Sequence, residues 1–105
     1  LFSSGQRLHA PHLIDVEVAH VIRRFAALGE IGNGEALAAF GGLADLPMQR
    51  HPHQLLLGRV WELRHNLSAY DAIYVALAEL LDEPLITHDK QLANAAGHQA
   101  IIELV

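Results

Sequence analysis

Leu67-Ser68-Ala69-Tyr70-Asp71-Ala72-Ile73-Tyr74-Val75-Ala76-Leu77-Ala78 is the stretch whose reading decides the fold. Ser68 is a strong N-cap residue, and Asp71 follows at the capping-box position in its acidic form. From Ala72 to Ala78 the side chains are apolar almost all round, so a helix over Ser68 to Leu81 is expected to lie deep in a core. Asp82-Glu83-Pro84 ends it. Leu85-Ile86-Thr87 then reads as a brief buried strand, stopped by His88-Asp89. A buried helix passing directly into a short apolar strand is the repeating unit of an α/β sheet.

The flanks extend that pattern. Downstream, Lys90 to Ala96 reads as a short helix ending at Gly97, and Ala100 to Val105 as a final strand. Upstream, Leu8 to Leu28 is expected to be helical, with Ala10-Pro11 in its first turn. Apolar residues recur there at helical spacing through Leu13, Ile14, Val16, Val18, Val21, Ile22 and Phe25, ending near Gly29. A second helix starts near Asn33, runs through Phe40 and stops at Gly41-Gly42. Leu46 to His51 reads as a weak strand, and Pro52 opens a third helix through Leu55, Leu56, Val60, Trp61 and Leu63. Helices alternating with short strands predict an α/β fold with a parallel sheet.

The 105 residues fit one domain, 1–105, and half-hydrophobic composition (51%, against 18% charged) argues against disorder. With no cysteine, neither a disulfide framework nor a thiolate metal site can exist, which suits a reducing cytoplasm. Charged residues and histidines break every apolar run, so no membrane span is expected, and Leu1-Phe2-Ser3-Ser4-Gly5 lacks the features of a signal peptide. A net charge of −5 weakens a non-specific nucleic-acid coat function. It is compatible with an enzyme whose acids cluster around divalent cations.

Three acids sit where ordinary roles and chemical ones compete. Glu17 interrupts the apolar row of Leu13, Ile14 and Val21, which is costly unless paired, with Arg24 the ordinary partner. Asp71 is explained as part of a capping box. Asp89 follows a short strand, at the end where α/β sheets bind ligands, and is equally explained as a cap for the helix at Lys90.

Taken in order, three segments resemble the PIN-domain family, and in detail the VapC toxins of bacterial toxin–antitoxin pairs. They are Ala10-Pro11-His12-Leu13-Ile14-Asp15-Val16-Glu17-Val18, Leu67 to Ala78, and Leu85-Ile86-Thr87-His88-Asp89. The resemblance implies a three-layer α/β/α fold with a short parallel sheet. It makes Glu17, Asp71 and Asp89 members of an acidic metal site, with Asp71 and Asp89 as direct ligands and Glu17 a ligand or an orienter of water. Thr87 matches a hydroxyl residue beside the last acid. The implied activity is hydrolysis of RNA phosphodiesters by a water activated by Mg²⁺ or Mn²⁺, with Arg23, Arg24, Arg7 and Lys90 available for phosphates. A homodimer is implied, silenced by a VapB-like antitoxin that wraps the toxin and points an arginine into the acids. The family begins with an apolar strand bearing an aspartate, and no such strand precedes Leu1. Leu1 to Leu8 reads as a linker, so the domain is expected to be N-terminally truncated and its sheet to lack a central strand. A non-catalytic, partner-binding PIN-like module is the alternative.

Other constellations carry less. Eight histidines include His9 and His12 three apart and His51 and His53 on one expected strand face, but no His-Glu-x-x-His motif occurs. Most are expected on the surface, with His88 beside Asp89 the one placed to touch substrate. No Gly-x-Ser-x-Gly elbow and no Gly-rich phosphate loop is present. Trp61 and Phe40 are expected in the core.

Overall fold

A computed structural model describes residues 2–4 and 7–105. Its elements are β1 (Phe2–Ser4), β2 (Arg7–Pro11), α1 (Leu13–Ala27), α2 (Asn33–Ala44) and β3 (Met48–His51), then a 3₁₀ turn (Gln54–Leu56) that runs into α3 (Leu57–Glu62). They continue as α4 (Ala69–Leu81), β4 (Leu85–Thr87), α5 (Lys90–Ala93) and β5 (Ile102–Leu104). The chain divides into two compact units, Leu1–Pro11 with Met48–Val105, and His12–Pro47.

The first unit is organised by α4. Ser68 caps it as its sequence predicts, the hydroxyl oxygen accepting the Asp71 N–H at 3.1 Å. Ala72, Ile73, Val75, Ala76, Leu77 and Ala78 are all buried, because apolar side chains surround the helix and β2, β4, α3 and the 3₁₀ turn pack on it. Leu56, Leu63 and Leu85 complete this core. The helix ends at Asp82 in the left-handed conformation, φ 53°, its N–H returned to Ala78 and Glu79 carbonyls.

The sheet has the order β3-β2-β1-β4-β5. The expected parallel pairings are present, β2 with β3 and β4 with β5. β1 joins β2 and β4 antiparallel, so the sheet is mixed. Two expectations for the N-terminal stretch are corrected here. Phe2–Ser4 and Arg7–Pro11 are strands, not a linker, and β1 takes the place at the sheet centre that was expected to stand open. The helix expected from Leu8 begins only at Leu13, since Leu8 to Pro11 is paired in register with Met48 to His51. Ala10 and Pro11 are fully buried, and Pro11 lies beyond the β2 residues that pair with β1, so its missing N–H costs no bond on that side.

The second unit is a helical hairpin in which Ile22 of α1 and Leu43 of α2 are buried. Helix α1 closes in a Schellman arrangement: Gly29, φ +75°, donates to Ala26 and Glu30 donates to Phe25. At the start of α2 the Glu35 carboxylate accepts the Gly32 N–H at 3.2 Å. Gly41-Gly42 does not stop this helix, which continues to Ala44. Glycine inside a helix costs about 1 kcal/mol relative to alanine but forbids nothing, and buried Leu43 holds the last turn in place.

Because Leu77 is 1% exposed in the middle of α4, Leu77→Ala is expected to destabilise the fold by about 2–5 kcal/mol, read by urea unfolding.

Candidate functional site

Asp71 stands in the first turn of α4 and is half-buried. The Ser68 hydroxyl satisfies the Asp71 backbone N–H, so the helix end is capped without the Asp71 side chain. Within its own unit no described residue donates a hydrogen bond to that carboxylate or pairs with it. Acids in a first helical turn are also favoured by the helix dipole.

Asp89 follows β4 and caps α5, as its alternative reading proposed. One carboxylate oxygen, Oδ1, accepts both the Gln91 N–H at 2.8 Å and the Leu92 N–H at 3.3 Å. The other oxygen is left over from capping. Thr87 supports this corner: its hydroxyl oxygen accepts the Asp89 N–H at 3.1 Å, and its carbonyl accepts from Val105 at 2.9 Å. His88 is exposed and its Nδ1 lies 3.0 Å from the Val105 carbonyl. The strand pair β4–β5 thereby fixes the backbone on which Asp89 sits.

Asp71 and Asp89 belong to the first unit, whereas Glu17 lies half-buried on α1 in the second. Arg23 and Arg24 are exposed on α1, and Arg24 lines an open depression of about 240 Å³ with Val21, Phe25, Leu28 and Glu30. Lys90 is exposed at the start of α5. Arg7 keeps its place in β2, but its side chain lies outside the described residues. Among the described residues no group of three or more His, Asp or Glu side chains is close enough to hold a metal ion. The donor chemistry still fits a hard cation, because Mg²⁺ keeps several waters and commonly takes only one or two carboxylates from a protein.

Sequence reasoning missed a second polar centre on α4. Arg59 of α3 donates to both carboxylate oxygens of Glu79, at 2.8 and 2.9 Å, and to the Gly97 carbonyl at 3.3 Å. Glu79 also accepts the Gln99 N–H at 2.8 Å. The Arg59 hydrogen bonds hold the Glu79 carboxyl below its ordinary value, against an opposing effect of burial. The same pair raises Arg59. The signal existed in the sequence: Glu79 follows Val75 and Ala76 on the apolar face, the same anomaly that drew notice to Glu17. Gly97 is held at φ +90°, where an added Cβ would stand 2.6 Å from the Asn66 amide.

Two expectations about side-chain location are overturned. Trp61 is 67% exposed and Phe40 43% exposed, so neither is a core residue. His9 is an exception among the histidines, most of which are expected on the surface: it is buried, and its Nδ1 lies 2.8 Å from His51 Nε2, joining β2 to β3.

Comparison with known proteins identifies the family of the chain. The PIN domain model matches residues 2–98. The chain belongs to the PIN domain family. Within that family it is similar to Ribonuclease VapC1 of Mycobacterium tuberculosis, 48% identical over 92% of this chain and 74% of the relative. It is 42% identical to VapC ribonuclease Mb0985 of Mycobacterium bovis, over 97% of this chain and 80% of that one. Ribonuclease VapC12 of M. tuberculosis is 42% identical over 96% of this chain and 78% of its own length. This is a VapC-like PIN domain, of the α/β class that its alternating helices and strands predict. No helix among its described residues is long and apolar enough to cross a membrane.

The Glu79 carboxyl gives the PIN domain a pH signature. A carboxyl whose folded value lies below its unfolded one stabilises the fold above the unfolded value, and that contribution is lost as pH falls through the folded value. The melting temperature is therefore expected to fall as pH drops below about 4.5, the ordinary glutamate value here. Glu79→Gln should cost about 1–3 kcal/mol near neutral pH and flatten that acid limb, as scanned by circular dichroism.

Proposed function

We propose that the chain is a divalent-metal-dependent endoribonuclease, the toxin of a type II toxin–antitoxin pair, and that Glu17, Asp71 and Asp89 are its working acids. The single observation that carries this reading is Asp71: a half-buried acid at the head of the most buried helix, whose carboxylate the Ser68 cap does not use. The similarity to proteins named ribonucleases supports the reaction class.

Asp71 and Asp89 would hold Mg²⁺ or Mn²⁺ through their carboxylate oxygens, with Glu17 a further ligand or the group that orients the attacking water. The bound ion would supply a water of lowered pKa and offset charge on the attacked phosphate. Thr87 holds the Asp89 backbone by accepting its N–H through the hydroxyl oxygen. Arg23, Arg24 and Lys90, all exposed, would hold RNA phosphates by charge-assisted hydrogen bonds. Hydrolysis adds water across one P–O bond, and the leaving oxygen takes the proton.

A single domain across 1–105, a homodimer, a VapB-like antitoxin partner and a cytoplasmic location complete the proposal. The family match over residues 2–98 supports the first of these.

RNA cleavage with Mg²⁺ or Mn²⁺ tests the reading. Asp89→Asn keeps an oxygen for the α5 cap and removes only charge, so it is expected to leave melting within about 0.5 kcal/mol while cutting the rate at least about 100-fold. Asp71→Asn is expected to behave alike. Full activity in both substitutions would refute the acidic site.

A further inference from the structure

Trp61 is the single tryptophan of the chain, and two thirds of its surface is exposed. It is not idle there. The Arg64 guanidinium lies over the indole, its central carbon 4.2 Å from the ring centroid. The same guanidinium donates to the Trp61 carbonyl at 2.9 Å, which ties the stack to the backbone. Among the described residues of its unit Arg64 has no ion-pair partner, in contrast to Arg59 of α3, whose charge is taken up by Glu79.

The stack stands at a defined end of the fold. The Arg59–Glu79 clasp joins α3 to the later part of α4. Residues 63–68 turn between them, anchored by Leu63, whose carbonyl accepts from both Asn66 and Leu67. Trp61 and Arg64 flank the end of α3, and Asp71 lies in the first turn of α4, at the same end of the hairpin. Tyr70, 63% exposed, is the neighbour of Asp71.

We propose that Trp61 and Arg64 form a contact for single-stranded RNA at the Asp71 end of the α3–α4 hairpin, the stack receiving a base and the guanidinium a phosphate. The inference rests on the ribonuclease reading above and assigns substrate-positioning residues to it. An exposed aromatic ring with an associated guanidinium is the general means of holding unpaired bases, and it tolerates any sequence because every base has a π face. A guanidinium with no carboxylate paired to it can turn its remaining N–H groups to a phosphate. A second copy of the chain fits the face less well. It would cover Leu55 and Leu57, 88% and 51% exposed, but would desolvate Arg64 with no acid of this unit paired to it. RNA supplies a phosphate at every nucleotide.

Since Trp61 is the only indole, its emission reports the contact directly. The full chain is titrated in EDTA with a short single-stranded RNA of mixed sequence. The expected result is quenching of Trp61 emission with saturation, and about tenfold weaker binding for Trp61→Ala and for Arg64→Ala. Trp61→Phe should retain most of the affinity and Arg64→Lys less. The melting temperature and the mass by light scattering should stay unchanged in all of these variants. RNA that binds without altering the emission, or binds Trp61→Ala as tightly as the parent, overturns the inference and leaves the ribonuclease reading standing. A mass that drops on Trp61→Ala assigns the face to a second copy and likewise overturns it. A parent chain that neither binds nor cuts RNA, with Mg²⁺ or Mn²⁺ supplied for the cutting, sinks both.

Discussion

The burial of α4 is the constraint on which the rest of its unit depends. A helix that is apolar on nearly every side must be surrounded, and β2, β4, α3 and the 3₁₀ turn do this. Surrounding it leaves its polar groups few options. Of the orphan N–H groups at its head, that of Asp71 finds an acceptor in Ser68, and its end turns at Asp82 in the left-handed conformation. Near its end the half-buried charge of Glu79 is matched by both arms of the Arg59 fork and by the Gln99 N–H. Each requirement of the helix thus fixes a neighbouring segment, down to the loop that carries Gly97 and Gln99.

The same economy explains why capping and chemistry do not compete at the acids. The Ser68 hydroxyl, not the Asp71 carboxylate, caps the head of α4 by accepting the Asp71 N–H. At α5 a single oxygen of Asp89 accepts two backbone N–H groups, leaving its twin. A residue can be an ordinary cap by one atom and a candidate ligand by another. The two readings of Asp89 drawn from its sequence are therefore compatible.

What was legible in the sequence was what short-range rules determine. The cap at Ser68, the burial of Ala72 to Ala78, the strand at Leu85 to Thr87 and the cap at Asp89 all depend on residues a few places apart. The start of the chain was misread because a strand is defined by its partner. Leu8 to Pro11 owes its extended form to Met48 to His51, which no local pattern reveals. Gly41-Gly42 was over-read as a stop, since two glycines weaken a helix without requiring the positive φ that ends one, as Gly29 does. Trp61 was placed inside on hydrophobicity alone. Its stack with Arg64 depends on a turn whose geometry is not written in residue types. The Glu79 centre was readable in principle, by the same test of an acid on an apolar face that was applied to Glu17.

The central claim is that Asp71 and Asp89 keep carboxylate oxygens available for a divalent cation. Mn²⁺ titration followed by amide NMR tests it most directly, because paramagnetic broadening falls steeply with distance from the ion. Selective loss of the amide signals around Asp71 and Asp89, abolished by Asp71→Asn, is the predicted result. Broadening centred instead on Glu79, Asp82 and Glu83, or no selective broadening at all, would contradict the claim.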